Sequence, residues 1–149
     1  MVRSSAEWLT HPQGEATAKR PMIDIEQIGG ARKRALGPAR HRPLEGVRVI
    51  ELSYLVAGPT AGRLLAEQGA EVIRIQSPLG DWQTPLMLET SWGKKNITLD
   101  IKSRAGNKRL VDLIGGADVI VSSLRPGALA HIGLDDSALS EINPNLVFA

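Results

Sequence analysis

The sequence predicts an α/β protein, an open and mostly parallel sheet with helices on both faces, and three observations carry that reading. From residue 43 onward, short segments rich in β-branched residues alternate with segments of helical spacing. The strand candidates are near-continuous apolar runs, as expected of strands buried on both faces. Gly, Pro and Asp fall between these segments, where turns and helix caps are needed.

Residues 1–42 read as a basic leader and linker containing a short strand. Ser5 to Leu9 suits one helical turn, and Met22-Ile-Asp-Ile-Glu-Gln-Ile28 alternates as a half-buried strand would. Residues 30–43, GARKRALGPARHRP, mix Gly, Pro and positive charge without apolar periodicity and predict a linker, with a boundary near Pro43. Beyond it, Val47 to Leu52 predicts a strand and Thr60 to Gln68 a helix. Gly69 stands at the helix C-terminus, and Glu71 to Ile75 supplies a second strand that completes a βαβ unit. Gln76 to Gly93 shows no steady period and predicts a long loop of the kind used for binding.

Order returns at Asn96 to Asp100, a short strand, after which Ser103 is placed to cap a helix running through Leu110 and Ile114. Gly115-Gly116 ends that helix, and Ala117 to Val121 forms another strand. Asp135 or Asp136 is placed to cap a short helix, and Asn145 to Ala149 begins a last strand. The whole of 43–149 therefore reads as a Rossmann-like domain. In such sheets ligands bind beyond the carboxyl ends of the strands, where strand order reverses. The loops after Leu52, Ile75 and Val121 leave from that edge.

A chain of 149 residues suffices for one domain burying roughly 70% of its unfolded surface. With three Trp, one Tyr and one Phe, its core must rest on Ala, Val, Leu and Ile. No apolar run suits a membrane span and the start lacks a secretory h-region, so the expectation is a cytoplasmic protein with no membrane partner. The absence of Cys excludes disulfides and thiolate chemistry. His11, His41 and His131 are scattered and form no metal-ligand set, so no metal is expected. Residues 1–43 carry eight Lys/Arg against four Asp/Glu, the remainder ten against twelve. Arg32-Lys33-Arg34 has no aromatic platform beside it, which favours a solvated linker over nucleic-acid binding.

Three loops could carry chemistry. Ser53-Tyr-Leu-Val-Ala-Gly-Pro59 leads directly into a helix, whose amino end offers backbone donors to a phosphate, although Gly-Pro also serves turn geometry. It is not the G-x-G-x-x-G fingerprint. Gln76-Ser-Pro-Leu-Gly-Asp81 follows the second strand, and Ser122-Ser-Leu-Arg-Pro-Gly127 follows the fourth. Arg125 could grip a phosphate or cap carbonyls, and Lys94 and Lys95 leave the same two readings open.

Five ordered blocks carry a family resemblance. The first is Pro43-Leu-Glu-Gly-Val-Arg-Val-Ile-Glu-Leu-Ser53 with Ala57-Gly-Pro59, and the second is Gly69-Ala-Glu-Val-Ile-Arg-Ile75. The others are Gly93-Lys-Lys-Asn-Ile-Thr-Leu-Asp-Ile-Lys102, Ala117-Asp-Val-Ile-Val-Ser-Ser-Leu-Arg-Pro-Gly-Ala-Leu129, and Gly133-Leu134 through Ile142-Asn-Pro-Asn-Leu-Val-Phe-Ala149. Residues 43–149 resemble the amino-terminal portion of class III CoA-transferases (CaiB/BaiF), which include formyl-CoA transferases and 2-methylacyl-CoA racemases.

The resemblance implies transfer of coenzyme A between an acyl-CoA and a carboxylic acid, with coenzyme A as substrate and no tightly bound cofactor. An aspartate attacks the thioester in such enzymes. That residue is expected beyond the last strand, so no catalytic residue is assigned and the chain is expected to be an inactive fragment. By resemblance Leu55, Val56, Ala57, Gly58, Ser77, Ser123, Leu124, Arg125 and His131 line the coenzyme site. Ser77 stands where relatives often have a basic residue, Gly93 where they have Asn, and Ser122-Ser-Leu124 where they have Glu-Asn-Phe. Full-length members form interlocked homodimers, so this chain alone is expected to be aggregation-prone. The alternatives are a non-catalytic coenzyme- or nucleotide-binding module and a racemase fragment.

Overall fold

The computed structural model describes residues 2–30, 37–38, 41–80 and 85–149. Much of the predicted linker, including Arg32-Lys33-Arg34, lies outside these residues, as do Asp81 and Trp82 of the predicted loop. The elements are α1 (Ser5–Leu9), α2 (Pro12–Ala18), β1 (Arg48–Leu52), α3 (Ala57–Glu67), β2 (Glu71–Gln76), α4 (Pro85–Thr90), β3 (Lys95–Thr98), α5 (Arg104–Gly115), β4 (Val119–Ser122), α6 (Asp136–Ile142) and β5 (Val147–Phe148). A single 3₁₀ turn, Ala130–Ile132, precedes α6.

The strands form one five-stranded sheet in the order β3-β2-β1-β4-β5, and every adjacent pair is parallel. Side-chain alternation then decides which residues meet which helices. Val49, Val72 and Val121 point to the face covered by α3, where they pack with Ala66 and Ala70. Ile50, Leu52, Ile75 and Ile120 point to the other face, against Leu110 and Ile114 of α5 and Leu139 of α6. Truncating a fully buried side chain such as Leu110 to Ala costs about 2–5 kcal/mol.

The helix ends follow the expected caps. Ser103 accepts from the Gly106 amide and Asp135 from the Ala138 amide. Gly69, at φ 103°, lets the chain turn from α3 into β2.

Three expectations need correction. The segment Met22–Ile28 is not a strand: its alternating apolar residues find no ladder partner, and Met22, Ile23 and Ile25 are largely exposed. The predicted 76–93 loop contains α4, tied to α3 by an ion pair between Arg63 and Glu89 at 3.1 Å. Finally, α2 was not foreseen. Its Pro12 sits at the first turn, and His11 caps it by accepting from the Gln13 amide.

Candidate functional site

Strand order reverses between β1 and β4, because β1 is followed in sequence by its neighbour on one side and β4 lies on the other. The crevice beyond their carboxyl ends is therefore the place this topology offers to a ligand. Two loops frame it, one leaving Leu52 and one leaving Ser122.

The two loops are fastened to each other. The Tyr54 amide donates to Ser123 Oγ at 2.8 Å, and the Ser123 amide donates to the Leu52 carbonyl at 3.2 Å. Gly58 lets the 53–58 turn fold tightly on itself, since a Cβ there would stand 2.3 Å from Ser53 Cβ, whereas Ser123 Cβ would lie at an ordinary 3.5 Å. Between them Leu55 adopts φ 60°, a left-handed conformation rare for a branched residue, and its side chain is 78% exposed. Val56 is half exposed beside it. Helix α3 starts at Ala57, three residues earlier than its periodicity predicted, with no side chain capping its amino end.

The remaining predicted residues fall into two concavities along the same edge. Ser77 and Leu124 line a cavity of about 60 Å³ with Tyr54, Gln76 and Asp100. Ser77 Oγ accepts from the Leu79 amide, shaping its own turn. Leu124 also borders a second cavity, of about 420 Å³, together with Arg125 and the loop through Leu129. Arg125 is exposed and its guanidinium makes no ion pair with another described residue. His131 borders neither cavity; its Nδ1 lies 2.7 Å from the Gly127 carbonyl, to which the Nδ1–H tautomer donates. The structure thus brings Leu55, Val56, Ala57, Gly58 and Ser123 together, sets Ser77, Leu124 and Arg125 beside them, and leaves His131 one turn away.

A larger groove of about 750 Å³ runs between residues 23–29 and the segment from Asp136 to Ala149. It lies along the β5 edge of the sheet rather than at the strand-order reversal, and none of the predicted site residues borders it.

Beneath the crevice lies a charged group that the sequence reading did not assign. Glu51 is fully buried at the end of β1 and accepts from Ser53 Oγ and from Lys94 Nζ. Lys94 also donates to the Pro59 carbonyl, and Arg74 Nε approaches Glu51 at 3.6 Å. Burial pushes the Lys94 amine below its ordinary value, and its hydrogen bond to Glu51 only partly opposes that. Lys94 is therefore committed to the interior and is not a surface phosphate ligand. Lys95, its exposed neighbour, pairs with Glu71. The signal was present in the sequence: Glu51 and Arg74 are opposite charges inside otherwise apolar strands, at positions that face the same side of the sheet.

The family model for CoA-transferase family III matches residues 44–149. A probable fatty acyl-CoA transferase of Mycobacterium tuberculosis is 35% identical over 121 residues, which cover 72% of this chain and 31% of that protein. An acyl-CoA transferase of Gibberella moniliformis is 36% identical over 149 residues, covering 95% of this chain and 26% of that protein. The solved structure of a CAIB/BAIF family protein from Brucella suis superimposes with a TM-score of 0.66 at 32% identity, covering 73% of this chain and 33% of the other. The chain spans about a third or less of the length of these relatives. Among the described residues, no helix is long and apolar enough to cross a membrane.

Proposed function

Since the chain belongs to CoA-transferase family III, we propose that residues 43–149 hold coenzyme A at the crevice between β1 and β4, as the coenzyme-binding part of a protein that moves coenzyme A from an acyl-CoA to a carboxylic acid. The observation that carries this reading is the pair of interlocked loops, 53–58 and 122–125, which places an uncapped helix amino end and an unpaired guanidinium on one edge. Helix amino ends and guanidinium groups are the two commonest protein devices for holding phosphate. Leu55 and Val56 offer exposed apolar surface beside them for the less polar parts of the coenzyme.

In this reading coenzyme A and its thioesters are bound as substrates, and none is retained as a prosthetic group. The residues assigned here bind and orient; none is assigned to attack the thioester. A cytoplasmic, homodimeric protein belongs to the same proposal.

Calorimetric titration with coenzyme A tests the reading. Arg125→Glu is expected to weaken binding by at least tenfold, since charge-assisted hydrogen bonds contribute about 1.5–3 kcal/mol before solvent screening reduces them. Arg109→Glu, on the exposed side of α5, changes the net charge equally and is expected to leave affinity within about twofold. An equal loss in both variants would show general electrostatic attraction and overturn the site.

A further inference from the structure

The turn between β1 and α3 must leave a strand, carry Leu55 through a left-handed conformation and start a helix within four residues. Both ends of that turn are tied to a single buried carboxylate. At one end Ser53 Oγ donates to Glu51 Oε1 at 2.9 Å. At the other, Lys94 Nζ donates at once to Glu51 Oε2 and, at 2.7 Å, to the Pro59 carbonyl in the first turn of α3. The helix backbone is drawn close enough that a Cβ at Gly62 would stand 2.0 Å from Glu51 Oε2. Arg74 adds a second positive charge, and its Nη1 donates to Ser91 Oγ.

The side chains of Glu51, Lys94 and Arg74 are each between 0 and 2% exposed. Groups so buried are a poor route to stability, because desolvation offsets most of the attraction and apolar substitutes of similar volume often do as well or better. What an apolar substitute does not reproduce is the direction of the bonds. Lys94 comes from a position 43 residues away in sequence, on the far side of β2, and its ammonium reaches the helix start and the carboxylate together.

We propose that Glu51 and Lys94 are positioning residues that clamp the 53–59 turn and thereby set the crevice in the shape that receives coenzyme A. The affinity part of this proposal rests on the coenzyme reading above, whereas the clamp itself does not. Neither residue touches the coenzyme. Each acts through the turn, Glu51 by way of Ser53 and Lys94 by way of the Pro59 carbonyl.

The test uses the whole chain carrying Glu51→Gln together with Lys94→Met, which removes one buried charge of each sign and leaves Arg74 its hydrogen bond to Ser91 Oγ. Amide hydrogen exchange, coenzyme A calorimetry and thermal unfolding are read side by side. The double variant is expected to unfold no more than about 10 °C below the wild type, because one charge of each sign is removed and Arg74 keeps its bond to Ser91 Oγ. The Tyr54 and Thr60 amides, hydrogen-bonded to Ser123 Oγ and the Val56 carbonyl in the native turn, are expected to exchange at least about tenfold faster. The β-strand amides of Ile50 and Val72 should be unchanged, and coenzyme A affinity should fall about tenfold.

Lys95→Met is the control and is expected to alter neither turn exchange nor affinity. Wild-type exchange at Tyr54 and Thr60 in the folded double variant would overturn the clamp. Altered exchange in a chain whose wild type does not bind coenzyme A would uphold the clamp and overturn the coenzyme reading. Should the double variant not fold, Ser53→Ala decides: it removes one arm only, and unchanged exchange at Tyr54 would then overturn the proposal.

Discussion

Gly58 is the residue at which the 53–58 turn packs tightest on itself, and its lack of a side chain is a steric requirement of that turn. A methyl group there would meet Ser53 Cβ at 2.3 Å and Ser53 Oγ at 2.8 Å, and Ser53 cannot retreat because its hydroxyl is bonded to buried Glu51. Gly58→Ala is therefore expected to cost about 1–3 kcal/mol of stability, as overpacking does. It should also weaken coenzyme A binding by displacing Ser53 and so reshaping the 53–58 turn. Gly115→Ala is the matching control: nothing lies within 4 Å of its virtual Cβ at the end of α5, so it should be neutral or stabilising by up to about 1 kcal/mol. Thermal unfolding and calorimetry of the two variants check the contrast. The loop residues were legible in sequence because they follow predicted strand ends, and the resemblance gave them a ligand. Lys94 is singled out by the sequence but its pairing with Glu51 is not, because a pairing across 43 residues depends on which strands are neighbours, and strand order is not written in local pattern.

At the scale of the elements, a single carboxylate ties together the three strands on one side of the sheet. Glu71 opens β2, pairs with Arg48 of β1 at 2.7 Å and also pairs with Lys95 of β3. The hydrogen bond from Lys95, followed by that from Arg48, holds its carboxyl below the ordinary value of 4.5. A carboxyl whose folded value is depressed stabilises the fold above the unfolded value, and that contribution is lost as pH falls through the folded one. With side chains between about a third and two thirds exposed, solvent screening limits the sum to about 0.5–1 kcal/mol. Glu71→Gln is accordingly expected to be less stable by that amount at pH 7. The gap to wild type should close as the pH falls below 4.5, and it should narrow in high salt. Urea unfolding across the acid range measures it, and a gap that stayed constant with pH would contradict the pairing. The strands were legible because Val and Ile dominate them. Helix α4 was hidden by Pro85 and by the irregular stretch before it, although Pro is well suited to a first helical turn. The Met22–Ile28 alternation misled for the converse reason: a strand pattern needs a free edge to pair with, and periodicity does not supply one.

The whole molecule joins a five-stranded parallel sheet to a crevice at the strand-order reversal, and in the proposed reading that crevice holds a coenzyme, which is chemically distinct from transferring it. Covalent transfer needs a nucleophile aimed at the thioester carbonyl. The acids nearest the crevice are engaged otherwise: Glu51 is buried with Ser53 and Lys94, Asp100 accepts from the Lys102 amide, and Asp135 caps α6. Each of these hydrogen bonds fixes a carboxylate on backbone or on a buried cation rather than freeing it for attack. In the proposed reading, the purified chain should therefore bind coenzyme A while showing no transfer from an acyl-CoA to a carboxylic acid above the uncatalysed rate. Acyl-CoA consumption and product thioester, followed together across a panel of short acyl donors and acids, measure this. Turnover that disappears in Arg125→Ala would show that a carboxylate within these 149 residues completes the site. Asp100, which shares the small cavity with Ser77, would then be the first to replace by Asn. Turnover insensitive to both changes would place the chemistry away from the crevice altogether.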